Sequence, residues 1–373
     1  MSGYTPPPDG AGPATLPELV RAARMRAAPG VWDMVAGGAE SETTLRRNRE
    51  AMERYAFVPD ALRGVESVDL TTTVLGRRVA SPVQLAPVGT IAQYHGDGAL
   101  APARVAQERG VLSVVGVLST PPLEQVAAAA PDALLALQLY VRGDRDWLRR
   151  TVRTAEDAGY AALVLSVDST GAALRERERH NRYNRPYART ANIPGPGRGT
   201  EHQVRLTWDD VARLRSITPL PLAVKGLTNP RDSVRAVEHG VDAVYVSNHG
   251  GRELDHLPSS IEVLAEHVDA VAGRAEVLVD SGFLRGSDVV KALALGARAV
   301  LIGKLQLWGL LAGGTDGLAA ALRLLDEEVA HVLQLLGVRS PGELTRGHLR
   351  PSLPTRRTGP AVTTYEPLSI PDL

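Results

Sequence analysis

From Pro82 onward the chain repeats one pattern eight times: a short, nearly continuous apolar run, then a stretch with apolar residues at three- and four-residue spacing. The runs are Val83-Ala86, Leu112-Val115, Leu134-Leu139, Ala162-Val167, Leu220-Val224, Ala243-Val246, Val277-Val279 and Ala299-Ile302. Helical stretches such as Gly98-Arg109, Pro122-Ala129, Asp146-Ala158, Trp208-Arg215, Asn229-His239, Ser260-Val271 and Gly286-Leu295 separate them. This alternation belongs to βα units on a parallel sheet whose strands are covered on both faces. Eight strands close a barrel. The rival, an open doubly wound sheet, carries a Gly-rich first turn, and no GxGxxG follows the first run. The predicted fold is therefore α/β, a (β/α)8 TIM barrel, and 373 residues fit one such domain.

The flanks read differently. Residues 1–14 are Pro/Gly-rich and predicted to be disordered, and 15–80 form an N-terminal helical cap. Within it Leu16, Leu19, Val20 and Ala23 recur at helix spacing, Pro29-Gly30 reads as a break, GGAE leads into a second helix, and Val68 to Val79 reads as a hairpin. Residues 81–336 hold the barrel with a terminal helix at 315–336, and 337–373 a C-terminal helix or tail, Pro-rich from Arg350. The connection after the fourth run, Gly171 to Val204, is too long for a simple turn, and such loops are functional or mobile.

Lys+Arg and Asp+Glu are each 42, so no charge excess points to nucleic acid or a membrane surface. Cysteine is absent, which excludes disulfides, thiolate nucleophiles and Cys-ligated metal, and no metal site is expected. The Met1 to Gly12 start has no signal-peptide pattern, and the most apolar stretch, Ala292 to Gly314, is interrupted by Arg298 and Lys304, so a cytoplasmic protein without membrane attachment is expected. Of the 42 cations only Lys225, Lys291 and Lys304 are lysine; in an Arg-rich chain a retained lysine points to a need for a compact ammonium.

In a βα barrel the active site sits where the C-terminal strand ends converge. Each end here carries a glycine, polar or titratable residue: Pro87, Val88 and Gly89 after run one, Gln138 and Tyr140 at three, Ser166 and Asp168 at four, Lys225 at five, VSNHGGRELD (Val246 to Asp255) at six, Asp280, Ser281 and Gly282 at seven, Gly303 and Lys304 at eight. His249 between turn residues offers a base near neutral pH beside the cation Arg252, or else a solvated His in a Gly-rich turn. Asp168 could hold that imidazole, or cap a helix with Ser169 and Thr170. Arg175 lies in alternating charge whose default reading is a solvated helix face, and Tyr140 could be an ordinary rim aromatic. Lys225, directly after PLAV, needs an anion, which a cofactor or a core carboxylate would supply. Gly282 and Gly303 match the phosphate site common to this architecture.

These residues resemble the FMN-dependent 2-hydroxy acid oxidases and dehydrogenases, a group including glycolate oxidase, lactate oxidase, lactate monooxygenase and mandelate dehydrogenase. SNHGGRELD is close to that family's signature, supported by VWDMVAGGAE, QLAPVG, HGDGALAPARVAQERG, LQLYVRGDR, AGYAALVLSVDS, LAVKG and VDSG…ALALGARAVLIGK, from Leu16 to Leu336. The resemblance implies FMN as cofactor, a small 2-hydroxy acid as substrate and association into tetramers. It implies His249 as catalytic base, Asp168 as its orienting carboxylate, and Arg252 and Arg175 on the substrate carboxylate, with Tyr140 hydrogen-bonding the substrate. Lys225 would stabilise the reduced ring, Pro87, Val88, Gly89, Gln138 and Ser166 would line it, and Asp280, Ser281, Gly282, Gly303 and Lys304 would lie at the ribityl phosphate.

The chain also departs from the family. Trp32 stands where relatives carry a substrate-contacting tyrosine, and the family's VDTP after strand four is Val167-Asp168-Ser169-Thr170 here; together these imply an aromatic or bulky acid. Leu284 replaces an arginine and Lys304 another at the phosphate, which implies weaker FMN retention. Gly89 takes a position where many oxidases have alanine, and glycine there accompanies dehydrogenases and the monooxygenase. Two other readings remain at this point: a tailoring oxidase of a larger or carrier-bound molecule, and a non-catalytic barrel that has lost FMN.

Overall fold

The computed structural model describes residues 12–171, 173–183, 192–193 and 200–353. The eight strands are β1 (Val83–Val88), β2 (Leu112–Gly116), β3 (Leu134–Leu139), β4 (Ala162–Ser166), β5 (Leu222–Leu227), β6 (Ala243–Val246), β7 (Glu276–Val279) and β8 (Ala299–Ile302). All pair in parallel with their sequence neighbours, and β8 pairs with β1, closing the barrel. Alternation along each strand separates two cores. Ala86, Leu112, Val114, Ala136, Val164, Ala223, Tyr245 and Leu301 fill the interior, whereas Leu85, Val115, Leu137, Leu163, Val244 and Val300 face the surrounding helices. Small interior residues leave room for one large side chain, Tyr245, which is fully buried.

The flanking segments differ from the sequence reading in three places. Pro29-Gly30, read as a break, starts a helix: α1 (Leu16–Arg26) is followed by α2 (Pro29–Ala36) and α3 (Thr43–Glu50). Proline at the first position of a helix costs no hydrogen bond, because that N–H has no intrahelical partner anyway. The hairpin (Thr72–Val74 with Arg77–Val79) does not join these helices in a cap. Leu75 N–H donates to Glu276, the first residue of β7, at 2.7 Å, and Val74, Leu75 and Val79 pack on the interior core, so the hairpin plugs the N-terminal mouth. Leu349–Pro351 forms an antiparallel pair with Tyr55–Phe57 instead of beginning a tail. The terminal helix runs Lys304–Leu336, but Gly313 and Gly314 leave helical geometry, so the predicted 315–336 is its second half. The predicted disordered start, the PGPG segment of the strand-four connection and the Pro-rich end fall largely outside the described residues.

Candidate active site

The loop after β6 runs from Ser247 to Ser259 and carries two of the groups singled out above. His249 adopts φ +58°, a left-handed conformation that side chains avoid unless their surroundings enforce it. Its Nδ1 lies 3.0 Å from Asp168 Oδ2 and its Nε2 3.5 Å from the Tyr140 hydroxyl. A carboxylate on Nδ1 fixes the tautomer with a proton on that nitrogen and leaves Nε2 as the acceptor. Asp168 caps no helix, since the next one, Glu176–His180, has Arg175 as its N-cap. The carboxylate is accommodated because residue 226 is glycine: at φ +107° a Cβ would stand 2.5 Å from the Asp168 side chain. Burial works to raise the Asp168 carboxyl, but the His249 imidazole and the Lys225 ammonium outweigh it and hold the group below the usual carboxylate value. Burial, with help from Asp168 and Glu253, pushes the Tyr140 phenol up, so it stays a neutral donor.

Lys225 is buried at the end of β5. Its Nζ donates to Ser247 Oγ at 2.8 Å, lies 3.3 Å from Asp280 Oδ2 and stands 5.2 Å from the Tyr245 ring centroid. Burial disfavours the ammonium, yet Asp280 and Asp168 reverse the balance and raise its pKa. The sequence assigned Asp280 to the phosphate; its carboxylate instead faces inward, accepting from Tyr245 at 3.0 Å and from Ser281 at 2.8 Å as the counter-ion of Lys225. Ser281 Oγ in turn accepts the Gly250 N–H at 3.0 Å, joining the β7 end to the histidine loop.

The structure brings the two arginines together. Arg175 Nε donates to the Arg252 carbonyl at 2.9 Å, which takes Arg175 out of the solvated-face reading. Arg252 donates to the Met34 and Gly37 carbonyls at the end of α2 and is pulled down to about 10 by burial and by Arg175. Lys304 Nζ also reaches this helix end, donating to Ala36 at 2.6 Å and Gly37 at 3.0 Å, so two basic side chains meet its last carbonyls, and burial with the nearby Arg252 pushes the Lys304 amine well below the usual lysine range. Sequence reasoning missed the acidic side of the cluster. Glu253 Oε1 pairs with Arg175 Nη2 at 2.5 Å, and Glu178 lies 3.7 Å from Arg175 and 3.9 Å from Arg252. The signal was present in the alternating RERERH run and in the acidic residue directly after Arg252, but only the fold says which charges face each other. Trp32, on α2, stacks on Trp308 with ring centroids 6.0 Å apart.

The arrangement suits a flavin. Gln138 Nε2 donates to Ser166 Oγ at 3.1 Å across two strand ends, making a fixed polar edge of the kind that reads a ring heteroatom. The helix that begins at Lys304 has no side-chain cap on its Gly303 N-cap, and no Cβ stands at Gly303 to keep an anion from its free N–H groups. Leu284, by contrast, is buried and apolar, and the Lys304 ammonium, which the sequence assigned to the phosphate, is instead bonded to the Ala36 and Gly37 carbonyls, so phosphate binding would fall to Gly303 and backbone donors.

A histidine–carboxylate pair, a buried ammonium and two guanidiniums gathered at the mouth of a closed barrel make an enzyme site equipped for proton transfer on an anionic substrate. Residues 23–351 match the model of the FMN-dependent dehydrogenase family, and the chain belongs to that family. It is 40% identical to an L-lactate oxidase of Nostoc over 345 residues, 87% of this chain and 94% of that one. It is equally 40% identical to a peroxisomal (S)-2-hydroxyacid oxidase of Arabidopsis thaliana, covering 86% and 91% of the two chains. Among solved structures, a soluble mutant of the membrane-associated (S)-mandelate dehydrogenase from Pseudomonas putida superposes with a TM-score of 0.85 at 35% identity, covering 91% of this chain and 99% of that chain. A mandelate oxidase superposes with a TM-score of 0.83 at 39% identity, covering 91% and 99%. Among the described residues no helix is long and apolar enough to cross a membrane.

Proposed function

We infer that the protein oxidises a 2-hydroxy acid to the 2-oxo acid with FMN, His249 serving as the base. Bound FMN supplies the two-electron acceptor. The protein's own groups supply the rest: Arg252 and Arg175 hold the substrate carboxylate bidentately, and Tyr140 fixes the hydroxyl. His249 Nε2 takes the hydroxyl proton as the α-hydrogen and its electron pair leave the carbon. Asp168 stabilises the resulting imidazolium, and Lys225 stands ready to balance negative charge on the reduced ring. The observation that carries this reading is the 3.0 Å His249–Asp168 contact with Nε2 turned to Tyr140. Anaerobic mixing with a panel of 2-hydroxy acids is expected to bleach the flavin; no bleaching by any member would overturn it.

The substrate is an aromatic or otherwise bulky acid. Support comes from Trp32 in place of a phenol and from Leu118, which would contact a Cβ at Gly89 at 3.4 Å and so presents an apolar side chain beside the β1 end. Mandelate is expected to exceed glycolate in kcat/KM by about 10-fold or more, the scale of a few buried methylenes. Tetrameric association and a cytoplasmic location are further proposals, the first tested by light scattering of the purified protein and the second by cell fractionation.

Weak cofactor retention follows from Leu284. Leu284→Arg is expected to tighten FMN binding by about 10- to 100-fold, the worth of one charge-assisted hydrogen bond. Flavin fluorescence during ultrafiltration reads it directly, and unchanged or weaker retention would place the phosphate elsewhere.

A further inference from the structure

The left-handed backbone at His249 is held by a frame of hydrogen bonds. His249 N–H donates to Ser247 Oγ at 3.0 Å, and Gly251 N–H donates both to the Asn248 carbonyl at 3.0 Å and to Asn248 Oδ1 at 3.1 Å. The Asn248 side chain is therefore part of the turn that presents the imidazole. It is only 1% exposed, and its amide is completed from a distant helix. Asn48, on α3 and also 1% exposed, donates Nδ2 to Asn248 Oδ1 at 3.0 Å, and Asn248 Nδ2 returns a bond to Asn48 Oδ1 at 2.7 Å. Backbone groups settle which way both amides face: the Gly251 N–H fixes Asn248 Oδ1, and the Pro258 carbonyl accepts from Asn248 Nδ2 at 3.0 Å.

Other contacts bring α3 to the same loop. Ala39 N–H donates to the Gly251 carbonyl at 2.8 Å, and Asp255 accepts the Thr44 N–H at 2.7 Å and the Thr43 N–H at 3.1 Å. Any Cβ at Gly251 would stand 2.7 Å from the Leu45 nitrogen. These contacts dock the helix. The amide pair continues through the Asn248 side chain into the turn that carries His249.

We propose that Asn48 is a positioning residue for His249, acting through its reciprocal amide bonds with Asn248. The proposal rests on the reading of His249 as the base. Loss of the pair takes away two of the four bonds on the Asn248 amide, leaving only the Gly251 N–H and the Pro258 carbonyl to hold it, which loosens the turn and lets the imidazole move away from Asp168. Asn48→Asp is the isosteric probe, because it sets a carboxylate oxygen against Asn248 Oδ1, which cannot turn away; Asn48→Ala removes both bonds and serves if the aspartate variant fails to fold.

Flavin reduction in either variant is expected to slow about 100-fold, the cost of an ångström-scale misplacement of a reacting group. Bound flavin and the dissociation constant of the 2-oxo acid product, read from the flavin spectrum of the oxidised holoenzyme, should change less than about threefold, since no binding group is touched. Asn48→Ala should add no further loss in an Asn248→Ala background. A crystal structure of an Asn48 variant should show His249 and Asp168 no longer hydrogen-bonded, a readout that stands whatever the activity of the parent. Reduction at the parent rate, equal losses of flavin and product binding, additive effects in the double variant, or an unmoved His249 would each overturn the proposal. Failure of the parent to reduce its flavin, with His249 displaced in the variant crystal, would sink the assigned reaction and leave the positioning role standing.

Discussion

Replacing His249 with glutamine is expected to lower kcat about 10⁴-fold, the upper range for a positioned general base. The amide keeps a polar side chain at the site but cannot accept and hold a proton at neutral pH. The groups proposed to line the cofactor are not held by this side chain: Gln138 and Ser166 bond each other, and Lys225 is held by Ser247 and Asp280. Flavin content should therefore match the parent, and substrate affinity should change little, because Arg252 and Arg175 hold each other through the Arg252 carbonyl and are anchored to α2 and Glu253. Rapid mixing separates the two terms. A variant that still bleaches its flavin within about tenfold of the parent rate would move the base elsewhere, since a tenfold change is only about 1.4 kcal/mol of barrier.

Much of this site was legible because the barrel imposes a simple grammar. Strands buried on both faces read as apolar runs, and the residue after each run must lie at the catalytic mouth, so His249, Asp168, Lys225 and Tyr140 could be gathered from positions far apart in the chain. Boundaries suffered where a polar residue is buried. The fifth run seemed to stop at Val224, yet β5 continues through Lys225 to Leu227, because Asp280 and Ser247 satisfy the ammonium inside the sheet. The helix at Pro29–Ala36 was hidden by its own first residue, which marks a helix start as readily as a break.

Long-range polar pairing was the larger loss. Asn48 and Asn248, or Glu253 and Arg175, carry no periodicity and no motif that names their partner; their meaning comes from a contact between elements as many as 200 residues apart. The same holds for Leu349–Pro351 and Tyr55–Phe57, strands of three residues each, too short to show an alternation. Periodicity reports which face of an element is buried, whereas the choice of polar partner depends on tertiary geometry.

Lys225→Met is expected to damage the protein before any chemistry is measured. Asp280 would keep its bonds from Tyr245 and Ser281 but lose the only cation within 4 Å among the described residues, and a buried carboxylate stripped of its partner costs about 3 to 5 kcal/mol. Denaturant unfolding of the apoprotein checks this. The second variant, Lys225→Met with Asp280→Asn, removes both charges and should recover most of that stability, since Tyr245 and Ser281 can still bond a neutral amide. It should not recover flavin reduction, because the charge proposed to balance the reduced ring would be gone. Lys225→Arg is the informative intermediate: it keeps the charge, but a planar guanidinium is wider than the space left by the Tyr245 ring, Ser247 and Asp280. Stability near the parent with reduction slowed at least about tenfold would assign this lysine to charge placement at the ring, consistent with its survival in a chain that otherwise chooses arginine. Full activity in the double variant would instead make the pair a structural ion pair, with the catalytic positive charge supplied by another group.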